Sequence, residues 1–266
     1  MRVAYLILFV VALGLSSCHF DTAEKEKPAV SKDTLTYAYQ LIKERADDCG
    51  EKPDSSCTVV KITYPIFPDR DSLNAHVTQK LTGLFGFFQA DVTLNDMADR
   101  FLETYENFKK RYKKDNRFFT LNANAKVLRQ DSSLTTLETN SYTFQGGAHG
   151  GSYTYFINWN TKADKSVILD DILVDGYKDK LTSIADTIFR KQEKLTDTAT
   201  LAKDYFFKEN KFSLPKNFLI TPLGLRFLYN IYEIKPYAAG RTDILIPYAQ
   251  LKPLLRTNTV VKQYTK

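Results

Sequence analysis

Residues 142–162 read YTFQGGAHGGSYTYFINWNTK, a glycine-rich loop set between two stretches with the composition of β-strands. After the loop, every second residue is aromatic or aliphatic, a period of two that is typical of a strand: Tyr153, Tyr155, Ile157 and Trp159. Two more β-rich stretches, 118–129 and 133–144, precede it and are separated by turn residues. The segment therefore predicts a series of strands joined by short turns.

Helical periodicity flanks these strands. Apolar residues recur at spacings of three and four in three segments: Leu73, Val77, Leu81, Leu84, Phe85 and Phe88; Met97, Phe101, Tyr105, Phe108 and Tyr112; and Leu181, Ile184, Ala185, Ile188 and Phe189. Thr93 and Asp96 form a capping-box pattern before the second segment.

Another strand is predicted over 58–64, stopped by Pro65 and Pro68. Further strands are predicted over 218–220, 225–229 and 243–247, whereas 35–45 fits a strand or a short helix. Strands that arrive in blocks, with helices between the blocks, predict an α+β fold of mainly antiparallel sheets packed with amphipathic helices.

The first residues have the pattern of an export signal. Arg2 precedes an apolar run of about 13 residues, which is too short to span a bilayer as a helix, and the run ends in Leu-Ser-Ser-Cys at Cys18. This resembles a bacterial lipobox and predicts a signal peptide over 1–17, then a lipidated Cys18 with a flexible tether over 18–36. The alternatives are an ordinary secretory leader or a retained membrane anchor.

These residues predict where the protein resides. Acyl chains on Cys18 would hold the exported body on a lipid bilayer. Because His19 rather than aspartate follows the cysteine, the outer membrane is favoured if the cell has two membranes. Arg2 is the one basic residue of the leader, so 36 basic and 31 acidic residues follow it, a net charge of +5. Export argues against a nucleic-acid partner.

Two cysteines remain after Cys18. Cys49 and Cys57 flank a stretch rich in turn-forming residues, and an even pair in an oxidising compartment predicts a disulfide across a β-turn or hairpin loop. No histidine or third cysteine lies near them in the sequence, so a metal site is not expected there. We predict neither a metal nor a cofactor.

The loop itself has two interpretations. Four glycines among residues 146–151 could expose N–H groups to an anion, or could simply permit a tight bend around His149. It is not a nucleotide-binding motif, because it precedes a strand and lacks the required lysine.

The order of features carries a resemblance. The loop segment, then VILDDIL at 167–173, an amphipathic helix and FLITPLGLRFLYNIYEIKPYAAGRTDILIPYAQLKPLL at 218–255 closely resemble the extracytoplasmic domain of RsiV-type lysozyme-sensing anti-sigma factors. The preceding half resembles the accessory domain found there and in PdaC-type peptidoglycan deacetylases. The resemblance implies a PdaC-like accessory domain over 37–130 and an RsiV-like C-terminal domain over 131–266, both of unknown function.

That boundary has no Pro/Gly linker, so the sequence leaves open whether the two subdomains share a core. The resemblance implies recognition of something at the cell envelope. It implies neither sigma-factor control nor deacetylation, because the sequence contains no counterpart of the sigma-binding segment, the spanning helix or the deacetylase catalytic domain.

Two function classes are compatible with these residues. The favoured one is a non-catalytic module that binds a wall polysaccharide or a muramidase such as lysozyme, with exposed aromatic rings as contacts. The alternative is a cell-wall hydrolase or deacetylase-like enzyme centred on His149 with Asp171 or Glu233; Asp171 fits a helix cap better. We assign no catalytic residue, and the candidate binding residues are Tyr142, Gly146, Gly147, His149, Gly150, Tyr153, Tyr155, Glu233 and Tyr237.

Overall fold

Two β-sheets organise the part of the chain that the computed structural model describes, residues 34–84 and 93–265. The first sheet has six strands in chain order: β1 (Ala38–Arg45), β2 (Val59–Ile66), β3 (Thr120–Asp131), β4 (Leu134–Phe144), β5 (Gly151–Asn160) and β6 (Lys165–Ser166). The second has three: β7 (Phe218–Thr221), β8 (Gly224–Tyr229) and β9 (Thr242–Pro247). The predicted signal peptide, Cys18, Phe85 and Phe88 lie outside the described residues.

Within residues 34–84 and 93–265, five α-helices accompany the sheets: α1 (Asp71–Gly83), α2 (Leu94–Arg111), α3 (Leu169–Ile172), α4 (Tyr177–Gln192) and α5 (Tyr248–Leu251). All strand pairs are antiparallel except β2–β3, which is parallel because α1 and α2 form the crossover between them. The predicted α+β class with mainly antiparallel sheets is confirmed. None of the described helices has the length and apolar character needed to cross a membrane.

The first sheet packs one face against α1 and α2. Of the predicted stripes, α1 buries Leu73, Val77 and Leu81 and α2 buries Met97, Phe101 and Tyr105. Tyr112, at the end of the second stripe, is exposed. The capping box at Thr93 and Asp96 is present. Segment 35–45 forms a strand rather than a helix. The expectation that Pro65 ends the next strand is wrong: β2 continues to Ile66. β3 pairs only with residues up to Thr63, so beyond that point β2 has a neighbour on one side alone, where proline is tolerated.

The disulfide predicted between Cys49 and Cys57 is present. It closes the loop of the β1–β2 hairpin, with a Cα–Cα distance of 5.4 Å, and both cysteines are buried in the first core. Tyr105 of α2 donates a hydrogen bond from its hydroxyl to Oδ2 of Asp48, 2.8 Å away, beside this loop. The linked loop is therefore also attached to α2.

A second core lies between the second sheet and α4, and it is rich in aromatic rings. The predicted boundary at residue 130 falls inside β3, and the first sheet continues through it into β4 and β5. Along the chain, the first core ends at Trp159, and the buried residues after it belong mainly to the second core. Leu134 is an earlier residue that already belongs to the second core. The two halves therefore have separate cores.

A seam of three asparagine side chains joins the two sheets. Asn217 accepts from the N–H of Phe156 and donates to the carbonyl of Thr154. Asn230 accepts from the N–H of Thr154, and Asn158 accepts from the N–H of Ile220 while donating to the carbonyl of Phe218. β5 pairs with β6 over a short length only. Along the rest of that edge of β5, the asparagine side chains form the hydrogen bonds to its backbone.

Candidate binding site

The glycine-rich loop, residues 145–150, connects β4 to β5 and is held by the ion pair of Arg117 and Asp115. The Arg117 guanidinium donates from Nη1 to the carbonyl oxygen of Gly146 at 2.6 Å and lies over the ring of Phe108. Asp115 holds the same guanidinium at Nη2, also at 2.6 Å. Hydrogen bonds from Arg117 lower the pKa of Asp115 to about 2. The loop conformation is therefore supported from outside the loop itself.

Two glycines of this loop have identifiable structural roles. Gly146 has φ +84°, a backbone conformation that other residues rarely adopt. Gly150 is buried beneath the ring of Tyr142, which leaves no room for a Cβ atom. Gly147 has no such constraint. At Gly146 and Gly150 the glycines therefore serve the bend, and Tyr142 packs on the loop.

Three rings meet beside this loop. The exposed His149 ring stacks on Tyr237, with centroids 4.0 Å apart and planes at 16°. The hydroxyl of Tyr232 lies 3.2 Å from Nε2 of His149, and the rings of Tyr232 and Tyr237 are 5.5 Å apart. We call His149, Tyr232 and Tyr237 the aromatic platform. It is built from two loops that are more than 80 residues apart in sequence.

The loop between β8 and β9 positions two of the three rings. Glu233 accepts a hydrogen bond from the N–H of Asn230, whose side chain is in turn bonded to Thr154 of β5. Ile234 is buried in the second core and so anchors the loop there. Tyr232 has φ +69°, a conformation that is strained for a residue with a side chain, and such residues concentrate at functional sites.

The remaining predicted residues occupy different places. Tyr153 and Tyr155 pair with Ser141 and Thr139, whereas Tyr142 pairs with Ser152, so the first two lie on the opposite face of the sheet from Tyr142. All three are partly exposed. Burial raises the pKa of Tyr155, and the nearby Glu233 carboxylate and Tyr153 add to the effect. Burial also raises the pKa of Glu233.

The structure thus brings His149 together with Tyr237, Tyr155 near Glu233, and Tyr142 against Gly150. It adds Tyr232, which sequence reasoning missed. Residues 232–237, Tyr-Glu-Ile-Lys-Pro-Tyr, show neither the helical nor the strand period of apolar residues. Tyr232 is distinguished only by its positive φ and by its position next to a histidine from another loop.

The chemistry around His149 is aromatic. The described hydrogen bonds of Asp171 go to the N–H of Ile168 and to Nζ of Lys165, which is the capping arrangement. Glu233 is bonded to Asn230. Across residues 34–84 and 93–265, no cluster of three His, Cys, Asp or Glu side chains is arranged to hold a metal ion. The described polar contact of the His149 ring is with the hydroxyl of Tyr232, not with either carboxylate.

Comparison with known proteins supports the predicted domain pair. Residues 51–152 match the family model described as Deacetylase PdaC, and residues 170–249 match the model described as Protein of unknown function (DUF3298). No curated protein sequence matches this chain. The resemblance expected from the sequence is confirmed at the level of these two domains.

Two solved structures have the same fold. A member of the DUF3298 family from Bacteroides fragilis is 23% identical, with a TM-score of 0.68 over 87% of this chain and 97% of that chain. A DUF3298 family protein from Pseudomonas aeruginosa is 24% identical, with a TM-score of 0.65 over 85% of this chain and 96% of that chain. At these identities the likeness establishes the fold alone.

Proposed function

Since this chain carries a PdaC-type domain followed by a DUF3298 domain, we propose that it is a non-catalytic recognition module of the bacterial envelope. Its ligand is a wall glycan, and its binding surface is the aromatic platform. The observation that carries the proposal is the stacking of an exposed histidine on Tyr237, completed by a tyrosine held at positive φ.

Aromatic side chains suit a glycan ligand. A ring has a flat apolar face and, in tyrosine and histidine, a polar group at its rim, so it can pack on a sugar ring while hydrogen-bonding to its hydroxyls. Tyr232 is 53% exposed, which leaves much of its ring accessible. The platform rings are already in contact with one another, so little rotamer freedom would be lost when a ligand binds.

Charge favours a wall polymer over a muramidase. The sequence beyond the predicted leader has a net charge of +5, and lysozymes are usually basic as well. Like charges oppose long-range association, whereas an anionic wall polymer would be attracted. A basic protein ligand would need a local acidic surface to overcome this repulsion.

A sedimentation assay with purified peptidoglycan tests the proposal. Tyr237→Ala and Tyr232→Ala should each weaken co-sedimentation about tenfold, because central aromatic contacts dominate binding energy. Tyr237→Phe should retain most of the binding, since it keeps the stacked ring. Tyr39→Ala is the matched control: Tyr39 is also an exposed tyrosine, 48% accessible, but lies on β1 at the opposite edge of the first sheet.

Three outcomes would contradict the proposal. The first is equal binding by the Tyr237→Ala and Tyr39→Ala variants, each shown to be folded by its thermal unfolding. The second is binding to lysozyme but not to peptidoglycan, with loss on Tyr237→Ala, which would make the ligand a protein. The third is turnover of a wall fragment that disappears in His149→Ala, which would support the enzyme alternative.

The location is part of the same proposal. Residues 1–18 support export and lipidation at Cys18, with the body held on the outer membrane where the cell has two membranes. Mass spectrometry of the N-terminal peptide should find an acylated Cys18, and Cys18→Ser should move the protein from the membrane to the soluble fraction. An unmodified cysteine in a cytosolic protein would refute the location without affecting the platform.

A further inference from the structure

The densest run of basic residues lies at the end of α2. Residues 106–117 contain six basic and two acidic side chains, a net charge of +4. The whole sequence beyond the predicted leader has a net charge of +5, so all of its other residues together contribute only +1. The positive charge of this protein is therefore concentrated in one short segment. We call residues 109–114 the basic segment.

The fold holds the basic segment in one conformation. After α2 the chain makes a turn, in which the N–H of Asp115 donates to the carbonyl oxygen of Tyr112 at 2.9 Å. Nζ of Lys109 donates to the backbone carbonyl oxygen of Asp115 at 2.6 Å. Lys113 and Lys114 are the two central residues of this turn, and both are exposed. A turn that is already formed loses little conformational freedom when a ligand binds to it.

The acidic groups nearby leave most of this charge uncompensated. The Asp115 carboxylate accepts hydrogen bonds from Arg117, from Nε at 2.9 Å and from Nη2 at 2.6 Å, so it is committed to that residue. Glu106 lies 3.9 Å from Nζ of Lys110, and both side chains are largely exposed. In the described part of the chain, no carboxylate pairs with three of the cations: Arg111, Lys113 and Lys114.

The helix itself does not explain the whole run. The C-terminus of a helix attracts cations, but this attraction falls off within the last turn, and α2 ends at Arg111. Lys113 and Lys114 lie beyond that turn. Residues 110–115 line an open depression of about 580 Å³. The ring of Tyr112 is also accessible there, because the residue is 51% exposed.

The basic segment lies at the same end of the first sheet as the aromatic platform. The start of β3 pairs with the end of β4, so the chain before β3 and the glycine-rich loop leave the sheet side by side. Arg117, three residues after Lys114, donates to the carbonyl oxygen of Gly146, three residues before His149. Three residues span at most about 11 Å. A glycan chain that lies on the platform can therefore extend to the basic segment.

From these contacts we propose that the basic segment binds carboxylate groups of the glycan whose sugar rings pack on the aromatic platform, so that the ligand is an acidic wall glycan. Lys113 and Lys114 act as point charges, and the Arg111 guanidinium fits a carboxylate with two parallel hydrogen bonds. The exposed ring of Tyr112 offers a face to a sugar between these cations. That the partner is a glycan rests on the function proposed above, whereas its acidity rests on the charge of the segment.

Co-sedimentation of the full chain with two forms of purified peptidoglycan tests this role. One form is used as isolated, and the carboxylates of the other are converted to neutral amides. The sugars are the same in both forms, so a difference in affinity reports the carboxylates alone. We expect the amidated form to bind about tenfold more weakly at low salt. The difference should disappear near 1 M salt, where the screening length is only about 3 Å.

Two double variants assign this difference to the basic segment. Lys113→Gln/Lys114→Gln should bind untreated peptidoglycan about tenfold more weakly, and should bind the amidated form as the unchanged protein does. Lys178→Gln/Lys180→Gln is the control, because it removes the same charge from two exposed lysines of α4, and it should bind both forms normally. Tyr237→Ala, in the platform, should weaken binding to both forms.

Equal losses in the two double variants would overturn the proposal, because they would indicate nonspecific attraction by net charge. Equal affinity of the unchanged protein for the two forms of peptidoglycan would also overturn it. So would a loss on both forms in Lys113→Gln/Lys114→Gln, which would indicate a structural role.

A membrane is the competing partner. Binding to vesicles of anionic phospholipid that disappears in Lys113→Gln/Lys114→Gln, without any preference for untreated peptidoglycan, would assign the basic segment to a lipid surface and overturn the proposal. Failure of the platform looks different. In that case Tyr237→Ala loses no affinity, while the preference for untreated peptidoglycan remains.

Discussion

A Cβ atom built on Gly150 would lie 2.4 Å from Cε2 of Tyr142 and 2.7 Å from the carbonyl oxygen of Thr143. The Thr143 oxygen belongs to the backbone and cannot rotate away. At Gly147, in the same loop, the nearest atom to such a Cβ would be the carbonyl oxygen of His149 at 3.8 Å, an ordinary contact. The two glycines therefore make a matched pair for mutation.

Gly150→Ala should destabilise the protein by about 1–3 kcal/mol, because overpacking forces the backbone or the Tyr142 ring to move. Gly147→Ala should change stability by less than about 0.5 kcal/mol. Chemical denaturation of both variants measures the difference. If the two unfold at the same denaturant concentration, the packing of Tyr142 on Gly150 is not what makes glycine necessary there.

From the sequence, Gly146, Gly147 and Gly150 are equivalent candidates for ligand contact. Four glycines in six positions indicate a bend, but they do not say which position has a ring above it. Tyr142 is three residues before the first residue of the loop, and the sequence predicts it as a ligand contact. Its packing against Gly150 depends on the register of β4 against β5, which pairs Tyr142 with Ser152.

At the scale of elements, α1 meets the end of β5. The ring of His76 on α1 lies 5.5 Å from the ring of Trp159, and His76 is partly buried there. This burial, together with the positive charge of Lys80, lowers the pKa of His76 to about 4. A protonated His76 is therefore unfavourable in the folded state.

This pKa predicts how stability depends on pH. Unfolded His76 titrates near 6.5 and folded His76 near 4, so between these values the unfolded chain binds the extra proton. Stability should fall as pH drops from about 6.5 towards 4, by about 1 kcal/mol at pH 5 after allowing for partial exposure.

His76→Gln should remove that part of the decline in stability. Thermal unfolding of both proteins between pH 7.5 and pH 5 measures it. A parallel decline in the two proteins would show that the folded state tolerates protonated His76, contrary to the prediction.

Neighbouring elements also explain why the period of two describes only the first part of β5. Tyr153 and Tyr155 alternate with buried Thr154 and Phe156, as a one-sided strand should. Further along the strand, residues 156–159 are all buried, because the helices cover one face and the second sheet covers the other. A periodicity that assumes one solvent-facing side cannot describe such a segment.

At the scale of the whole molecule, the asparagine seam unites two halves with separate cores. Among the described residues, a small buried apolar cluster of Phe156, Leu219 and Leu228 lies between the sheets, and Leu134 of β4 packs in the second core. The three asparagines beside this cluster are buried and bond to backbone groups of the opposite sheet. We conclude that hydrogen bonds to side-chain amides contribute much of what keeps the halves together.

Removing one of these side-chain amides should lower the free energy of unfolding. Asn217→Ala leaves the buried N–H of Phe156 without its acceptor, whereas the carbonyl of Thr154 keeps the hydrogen bond from Nδ2 of Asn230, so the variant should lower stability by about 1–3 kcal/mol. Asn116→Ala, at an exposed asparagine, is the control and should have little effect.

Thermal unfolding with two probes tests this role of the seam. Near-ultraviolet and far-ultraviolet circular dichroism should both report the lower midpoint of Asn217→Ala. A midpoint equal to that of Asn116→Ala would mean that water or other groups satisfy the freed backbone atoms, and that the seam does not join the halves.

The sequence alone determined the α+β class, the order of most elements, the Cys49–Cys57 disulfide and the likeness to the two domain families. Each of these follows from local information: the spacing of apolar residues, capping residues, cysteine count and the order of motifs. The tertiary structure alone decided that the first sheet runs through residue 130, that β2 continues past Pro65, and that Tyr232 joins His149 and Tyr237. These depend on contacts between segments far apart in the chain, and periodicity within one segment contains no information about its distant neighbours.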